Sequence, residues 1–193
     1  MSSGTSRFAG AAVGSAARMA ALTDIKDKLT SAARAQQTGY AREQDRPLLG
    51  YAMTLTAYSG VLGAIAAAVR RTGRTVPDGF SPADITLGAL ATHKLSRLLA
   101  KDPITSPLRA PFASYQGTSG PSEVQEDVRG EGGRKAVGEL VTCPFCTGVW
   151  VATGLTAGLI FFPTATRVAR DTLAMLAGAD LLQFTHAVLK NVA

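Results

Sequence analysis

The sequence predicts an all-α protein: a four-helix multi-pass membrane bundle with an N-terminal amphipathic helix and one long polar loop. Two charge-free runs carry this prediction, residues 47–69 and 140–166, because each is long enough to cross a bilayer as a helix. The mean hydropathy of the 193 residues is only +0.14, since residues 1–46 and 101–139 are polar. We therefore expect an N-terminal extension over residues 1–46 and a membrane domain over residues 47–193.

The net charge of the chain, +6 at pH 7, narrows the classes of partner. Lys and Arg residues flank the apolar runs, which indicates contact with the anionic lipid headgroups of a bilayer. Only 6% of the residues are aromatic and none of them forms a basic-aromatic face, so nucleic-acid binding has little support. Within the bilayer, a second copy of the chain or another membrane protein is the expected protein partner.

The N-terminal extension is expected to hold one amphipathic helix, over residues 15–38. Apolar side chains recur there at spacings of three and four: Leu22, Ile25, Leu29 and Ala32. This stripe suits a helix that lies on the membrane surface and equally one that docks on its own protein. Residues 1–14 are small and polar, and we expect them to be disordered.

Four segments are the candidate membrane helices: residues 47–69, 82–100, 144–162 and 166–190. The second of them begins at a capping box made by Ser81 and Asp84, with Pro82 in its first turn. Its uncharged part, residues 85–92, is too short to be recognised as a span by itself. The sequence therefore does not decide whether this second helix crosses the membrane.

Two prolines define the ends of the third helix. Pro144 is expected in its first turn, which makes Cys143 the N-cap residue. The helix continues to Phe162, where Pro163 and Thr164 predict a tight turn into the last helix.

The polar loop over residues 101–139 is expected to lack regular structure. Pro103, Pro107 and Pro111 predict an extended, rigid path for its first part. Residues 117–133 are rich in Gly, Ser and acidic side chains, which is typical of a solvated loop.

The basic residues predict an orientation if all four helices cross. Thirteen of the twenty Lys and Arg residues then lie on the side of both termini and the polar loop, and five lie on the opposite side. The positive-inside rule therefore predicts a multi-pass protein of the cell membrane with both termini in the cytoplasm.

Two motifs in this sequence resemble those of a known family. The first runs from His93 to Phe112 and the second from Glu139 to Trp150. The matching positions are Lys94, Arg97, Asp102, Thr105, Pro107, Arg109, Phe112, Glu139, Cys143, Pro144, Cys146, Gly148 and Trp150. They resemble the uncharacterised bacterial membrane-protein family called domain of unknown function 1360, over roughly residues 50–190. The resemblance implies a small multi-pass membrane protein and a link to sporulation, since that family includes a sporulation-associated protein; it implies no reaction.

The only two cysteines, Cys143 and Cys146, have Cys-X-X-Cys spacing at a helix start. The positive end of the helix favours the thiolate form, so the pair could carry redox chemistry. With His93 and His186 it could instead form a four-ligand zinc site, although the spacing matches no zinc motif. The simplest interpretation is a structural pair of reduced thiols. No cofactor is predicted, and zinc is the one metal that the residues leave open.

Several polar side chains fall inside the candidate helices: Asp84, Lys94, Arg97, Asp180 and Gln183. A carboxylate near the middle of a membrane helix is costly unless it is paired. We therefore expect Asp180 to pair with Lys94 or Arg97, either as a clamp that fixes helix register or as part of a path for ions or small solutes. Lys101 and Arg109, beside the membrane, are candidate ligands for lipid phosphate.

These observations favour an integral membrane protein with a structural or interaction role, and the resemblance adds sporulation or the cell envelope. No nucleotide-binding loop, nucleophile elbow or carboxylate pair appears, so an enzyme is not expected. Two alternatives stay open. One is a membrane thiol oxidoreductase or thiol-metal protein that uses Cys143 and Cys146, and the other is a small transporter that uses Asp180.

Overall fold

The computed structural model describes residues 5–41 and 46–192, with burial known for residues 18–41 and 46–191. Its elements are α1 (Thr5–Ala41), α2 (Leu48–Thr72), α3 (Pro82–Lys101), a 3-10 turn (Pro103–Thr105), α4 (Ser106–Arg109), β1 (Ala113–Gly120), β2 (Glu123–Val128), α5 (Gly132–Thr142), α6 (Pro144–Phe161) and α7 (Pro163–Val192). The chain divides into two compact units, residues 1–49 and 50–193.

The first unit contains α1, which is longer than the amphipathic helix that the sequence predicts. Residues 5–14 are helical, so the expectation of disorder is wrong for them, and residues 1–4 lie outside the described residues. Asp24 and Lys28 form an exposed ion pair at 2.8 Å, one helical turn apart. Leu22 and Leu29 of the apolar stripe are both more than 60% exposed.

Three helices in the described part of the chain are long and apolar enough to cross a membrane. They are α2, α6 and α7, and α3 is not among them, so the prediction of four spans is not confirmed. The predicted segments are themselves helical, and α7 begins at Pro163 rather than at residue 166 because proline is accommodated in the first turn of a helix.

The capping box at the start of α3 is confirmed. The Ser81 hydroxyl accepts a hydrogen bond from the Asp84 backbone N–H at 3.1 Å, and Pro82 occupies the first helical position. The helix ends where Asp102 adopts an extended conformation before Pro103.

The second unit is held together by α3, which packs against both α6 and α7. Apart from Arg170, the buried side chains of these helices are small or medium-sized, which allows the backbones to approach closely: Ala91, Ser96, Ala100, Val151, Ala174 and Ala177. Within this unit, two tyrosines of α2 contact α5 and α6. Tyr51 donates a hydrogen bond to Glu139 of α5 at 2.5 Å. The Tyr58 hydroxyl lies 2.8 Å from the Thr153 hydroxyl of α6, and the Tyr58 ring packs edge to face with the ring of Trp150.

The polar loop is folded, which corrects two expectations. The first part is helical rather than extended: Pro103 is the first residue of the 3-10 turn, and Pro107 lies in the first turn of α4. Proline suits the first turn of either helix type. Residues 117–133 are mostly an antiparallel hairpin of β1 and β2, not a solvated loop. α5 packs on this hairpin at Gly138, where an added Cβ would lie 3.0 Å from the Phe112 carbonyl oxygen.

Arg109 fixes this folded segment, and its side chain is only 1% exposed. Its Nε donates to Glu126 of β2 at 2.6 Å, while Nη1 donates to the Leu99 carbonyl and Nη2 to the Asp102 carbonyl. The hydroxyls of Thr105 and Ser106 accept further hydrogen bonds from this guanidinium. These acceptors satisfy the five N–H bonds of an arginine side chain. Arg109 therefore has no donor left for lipid phosphate, and that interpretation of Arg109 is wrong.

We expect Arg109→Met to lower the free energy of unfolding by about 3–5 kcal/mol, because it leaves the buried Glu126 carboxylate without its partner. The double variant Arg109→Met, Glu126→Leu should recover most of that loss. Thermal unfolding and protease resistance of residues 101–142 measure the effect. Arg74→Met, at an exposed position, is the matched control. Equal protease resistance of the two single variants would contradict the role given to Arg109.

Candidate functional site

The charged side chains of α3 meet opposite charges on α7. Asp84 accepts a hydrogen bond from Arg170 Nη1 at 2.6 Å, and Lys94 donates to Asp180 at 2.5 Å. The two pairs are ten residues apart on both helices, so α3 and α7 run parallel in matching register. Arg170 also contacts Asp171, its neighbour in sequence. Each charge of this ladder thereby has a partner of opposite sign within the protein.

Asp180 contacts one of the two partners expected for it. The other, Arg97, is one turn further along α3 and binds Glu123 of β2 instead. The Arg97–Glu123 pair ties the last turns of α3 to the hairpin. The other predicted polar position, Gln183, lies on the exposed part of α7 and shares no hydrogen bond with this ladder.

The thiol pair lies where α5 ends and α6 begins. Cys143 is the N-cap of α6, and its Sγ accepts a hydrogen bond from the Cys146 backbone N–H at 3.4 Å. Both cysteines are free thiols, Cys143 partly buried and Cys146 exposed. The cap forms because an N-cap side chain must accept from a backbone N–H of the first turn, and a thiol can do so weakly.

The surroundings of Cys143, which precedes the span, favour its thiolate. Partial burial raises the pKa of Cys143, but hydrogen bonds from the Cys146 side chain and from the backbone of Cys146 and Phe145 outweigh it. The charge of Lys101 acts in the same direction, so the pKa of Cys143 lies below its usual value. A lowered pKa increases the fraction of the thiol that is present as the nucleophilic thiolate at a given pH.

The described residues hold no group of three His, Cys, Asp or Glu side chains placed to bind a metal ion. His93 and His186 are both exposed, on α3 and α7 respectively. The four-ligand zinc site that the sequence left open is therefore not assembled in this structure.

Most motif positions serve the packing of the second unit. Asp102 accepts from the Ile104 backbone N–H at 2.9 Å, and Thr105 donates to the Leu98 carbonyl at 2.6 Å. Phe112 leads from α4 into β1, and its carbonyl accepts from the Arg129 N–H at 2.7 Å. Pro107 lies in the first turn of α4, Gly148 faces Ser96 across the α3–α6 contact, and Trp150 packs against Tyr58.

Three partners were missed by the sequence reasoning: Glu123, Glu126 and Arg170. The two glutamates lie three residues apart in a polar stretch for which the sequence predicts a solvated loop. Val124, Glu126 and Val128 share one face of β2, so the glutamate interrupts the apolar alternation by which a strand is recognised in a sequence. Arg170, in an otherwise apolar helix, could have been recognised as the partner of an acidic residue.

Comparison with known proteins identifies the family. The sporulation protein YjcA of Bacillus subtilis (strain 168) is 41% identical over 71 residues, which are 35% of this chain; the match spans 60% of that relative's length. No solved structure matches the chain. The model of the family described as protein of unknown function (DUF1360) matches residues 87–186, more than half of the chain and the part that runs from α3 into α7. The protein thus belongs to the DUF1360 family.

Proposed function

We propose that this protein is an integral membrane component with a structural or interaction role, built on four crossing helices that include α3. The observation that carries the proposal is the ladder of ion pairs, Asp84–Arg170 and Lys94–Asp180, along α3 and α7. A charge at membrane depth is tolerated when it faces the interior of a bundle and finds a partner. α3 lacks the hydropathy of an independent span, but α7 neutralises the charges responsible.

The directions of the helices support four crossings. α3 runs parallel to α7, and α6 runs antiparallel to α7 because only Phe162 separates them. α2 contacts α5 with Tyr51 and α6 with Tyr58, so α2 and α6 run in the same direction. The four helices thus alternate in direction along the chain, as successive spans must. The excess of Lys and Arg near the hairpin and the termini favours the cytoplasm for that side.

The 3-10 turn, α4, the hairpin and α5 form a platform at the end of the bundle that would face the cytoplasm. Ile104, Leu108 and Tyr115 are 79%, 65% and 65% exposed there, on a segment that Arg109 holds rigid. Exposed apolar side chains on a rigid scaffold are typical of surfaces that bind a protein or a membrane. The relative named a sporulation protein suggests that such an interaction belongs to sporulation or the cell envelope.

A path for ions or solutes is the weaker alternative. Its central carboxylate, Asp180, already binds Lys94 at 2.5 Å. A paired carboxylate fixes helix register and has no need of a transported cation.

A thiol function is the second candidate, and the N-cap position of Cys143 favours it. A thiolate stabilised in this way can attack an external disulfide, which releases one thiol and leaves a mixed disulfide at Cys143. Cys146 then attacks the Cys143 sulfur of that mixed disulfide and displaces the second external thiol. Two protein thiols become one disulfide while the external disulfide becomes two thiols.

The proposed ladder is tested by charge reversal. Lys94→Asp should lower the free energy of unfolding by about 1–3 kcal/mol, since it places two carboxylates together. Adding Asp180→Lys should restore most of that loss. Heat-induced unfolding in a mild detergent measures both. Lys28→Asp, in the exposed pair with Asp24, is the matched control and should change little. Failure of the double variant to recover would speak against the ladder.

The crossing of α3 is tested by labelling from outside the cell. In a Cys143→Ser, Cys146→Ser background, we expect Asp78→Cys to react with a membrane-impermeant maleimide in intact cells. Ser119→Cys, in the hairpin, should react only after the membrane is permeabilised. Both positions are exposed, so burial does not limit labelling. Labelling of the two cysteines from the same side would show that α3 does not cross.

The thiol candidate predicts a pH dependence of alkylation at Cys143. Because the pKa of Cys143 is lowered in the folded protein, its thiolate persists to lower pH. Iodoacetamide labelling is followed by mass spectrometry of the peptide. The labelling rate should rise at lower pH in the folded protein than in the denatured chain, where thiols titrate at about 8.5. Cys146→Ala should shift the folded profile upward, since it removes the side-chain donor to Cys143. An identical profile in folded and denatured protein would remove this candidate.

A further inference from the structure

A groove of about 600 Å³ lies between α3 and α6 in the second unit. Small and apolar side chains line most of it: Ile85, Gly88, Ala89, Ala152, Leu155 and Leu159. Ligand pockets in proteins have this size and this mainly apolar lining, with a few polar groups at defined points.

The polar groups of this groove are at its two ends. Asp84 and Arg170 line one end and neutralise each other at 2.6 Å. His93 and Arg97 line the other end, beside the first turn of α6. Every residue that lines the groove between these ends is uncharged. An occupant must therefore be apolar along its length and polar at one end.

The dimensions favour a hydrocarbon chain over a helix. Arg97 comes thirteen positions after Asp84 on α3, and the helical rise of about 1.5 Å per residue makes the groove about 20 Å long. A straight acyl chain can lie along a groove of this length, whereas a helix is about 10 Å in diameter and needs a wide floor. The close approach of Gly148 to Ser96 keeps the floor of the groove narrow.

The end at Arg97 suits a phosphate. The bonds from Arg97 to Glu123 use Nε and Nη2, and among the described residues Nη1 makes no hydrogen bond. The Arg97 side chain is 44% exposed, so Nη1 can reach a group that arrives from the membrane surface. Guanidinium groups bind phosphate through charge-assisted hydrogen bonds.

We propose that this groove binds one phospholipid, with an acyl chain between α3 and α6 and the phosphate at Arg97 and His93. The site goes beyond the structural role proposed above, because it assigns a specific lipid rather than general contact with a bilayer.

The test fills the groove without disturbing the helix. A Cβ added at Gly88 meets no atom within 4 Å, so Gly88→Leu should fold and place its side chain where the acyl chain would lie. Gly154→Leu is the matched control, since Gly154 of α6 is equally open but does not line the groove. The full-length protein is reconstituted in phosphatidylglycerol vesicles, extracted in mild detergent, and its retained lipid counted by native mass spectrometry.

We expect wild type and Gly154→Leu to retain phosphatidylglycerol, and Gly88→Leu to retain about tenfold less, since overpacking displaces the chain. Arg97→Gln should also weaken retention because it removes the phosphate ligand. Equal retention by the two leucine variants, no retention by wild type, or a cross-linked second copy seated at Gly88 would each overturn the proposal. Carbonate-resistant membrane association of every variant separates this result from failure of membrane insertion.

Discussion

The arrangement of the second unit depends on the matching of charges between α3 and α7. Asp84 and Lys94 would make α3 a poor membrane helix by itself, because a lone charge at membrane depth is costly. Arg170 and Asp180 carry the opposite charges at the same spacing, so both charges of α3 find a partner on α7. Since α7 comes last in the chain, the inferred crossing of α3 depends on a helix made after it. α6 lies between them in sequence and packs on both.

A second constraint joins these helices to the polar segment. Arg109 binds Glu126 of the hairpin and the carbonyls at the end of α3, while Arg97 binds Glu123 of the same strand. Two arginines of the family motifs therefore fix the hairpin onto the end of α3. This gives a structural reason for motif positions that contain no recognisable catalytic set. It also explains how a Gly- and Pro-rich segment of this length can be ordered: one buried guanidinium joins its helical part to the hairpin, whose strands pair with each other.

The features with chemical potential all lie near this junction. Cys143 caps α6 directly after α5, and Arg97 links one end of the apolar groove to the hairpin. Leu55 and Leu62 of α2 and Leu181 and Leu182 of α7 are exposed, on two helices that are long and apolar enough to cross a membrane.

The sequence by itself determined the helices and several of their ends. Long charge-free runs require helices, and Ser81, Pro82 and Pro144 define starts through local hydrogen bonding that needs no distant partner. It also named Lys94 as a candidate partner of Asp180, because few charges exist in apolar surroundings. Only the tertiary structure decided that the polar segment folds. Its order comes from Arg109 meeting a carboxylate seventeen residues away and carbonyls of another helix, and no local propensity encodes such contacts.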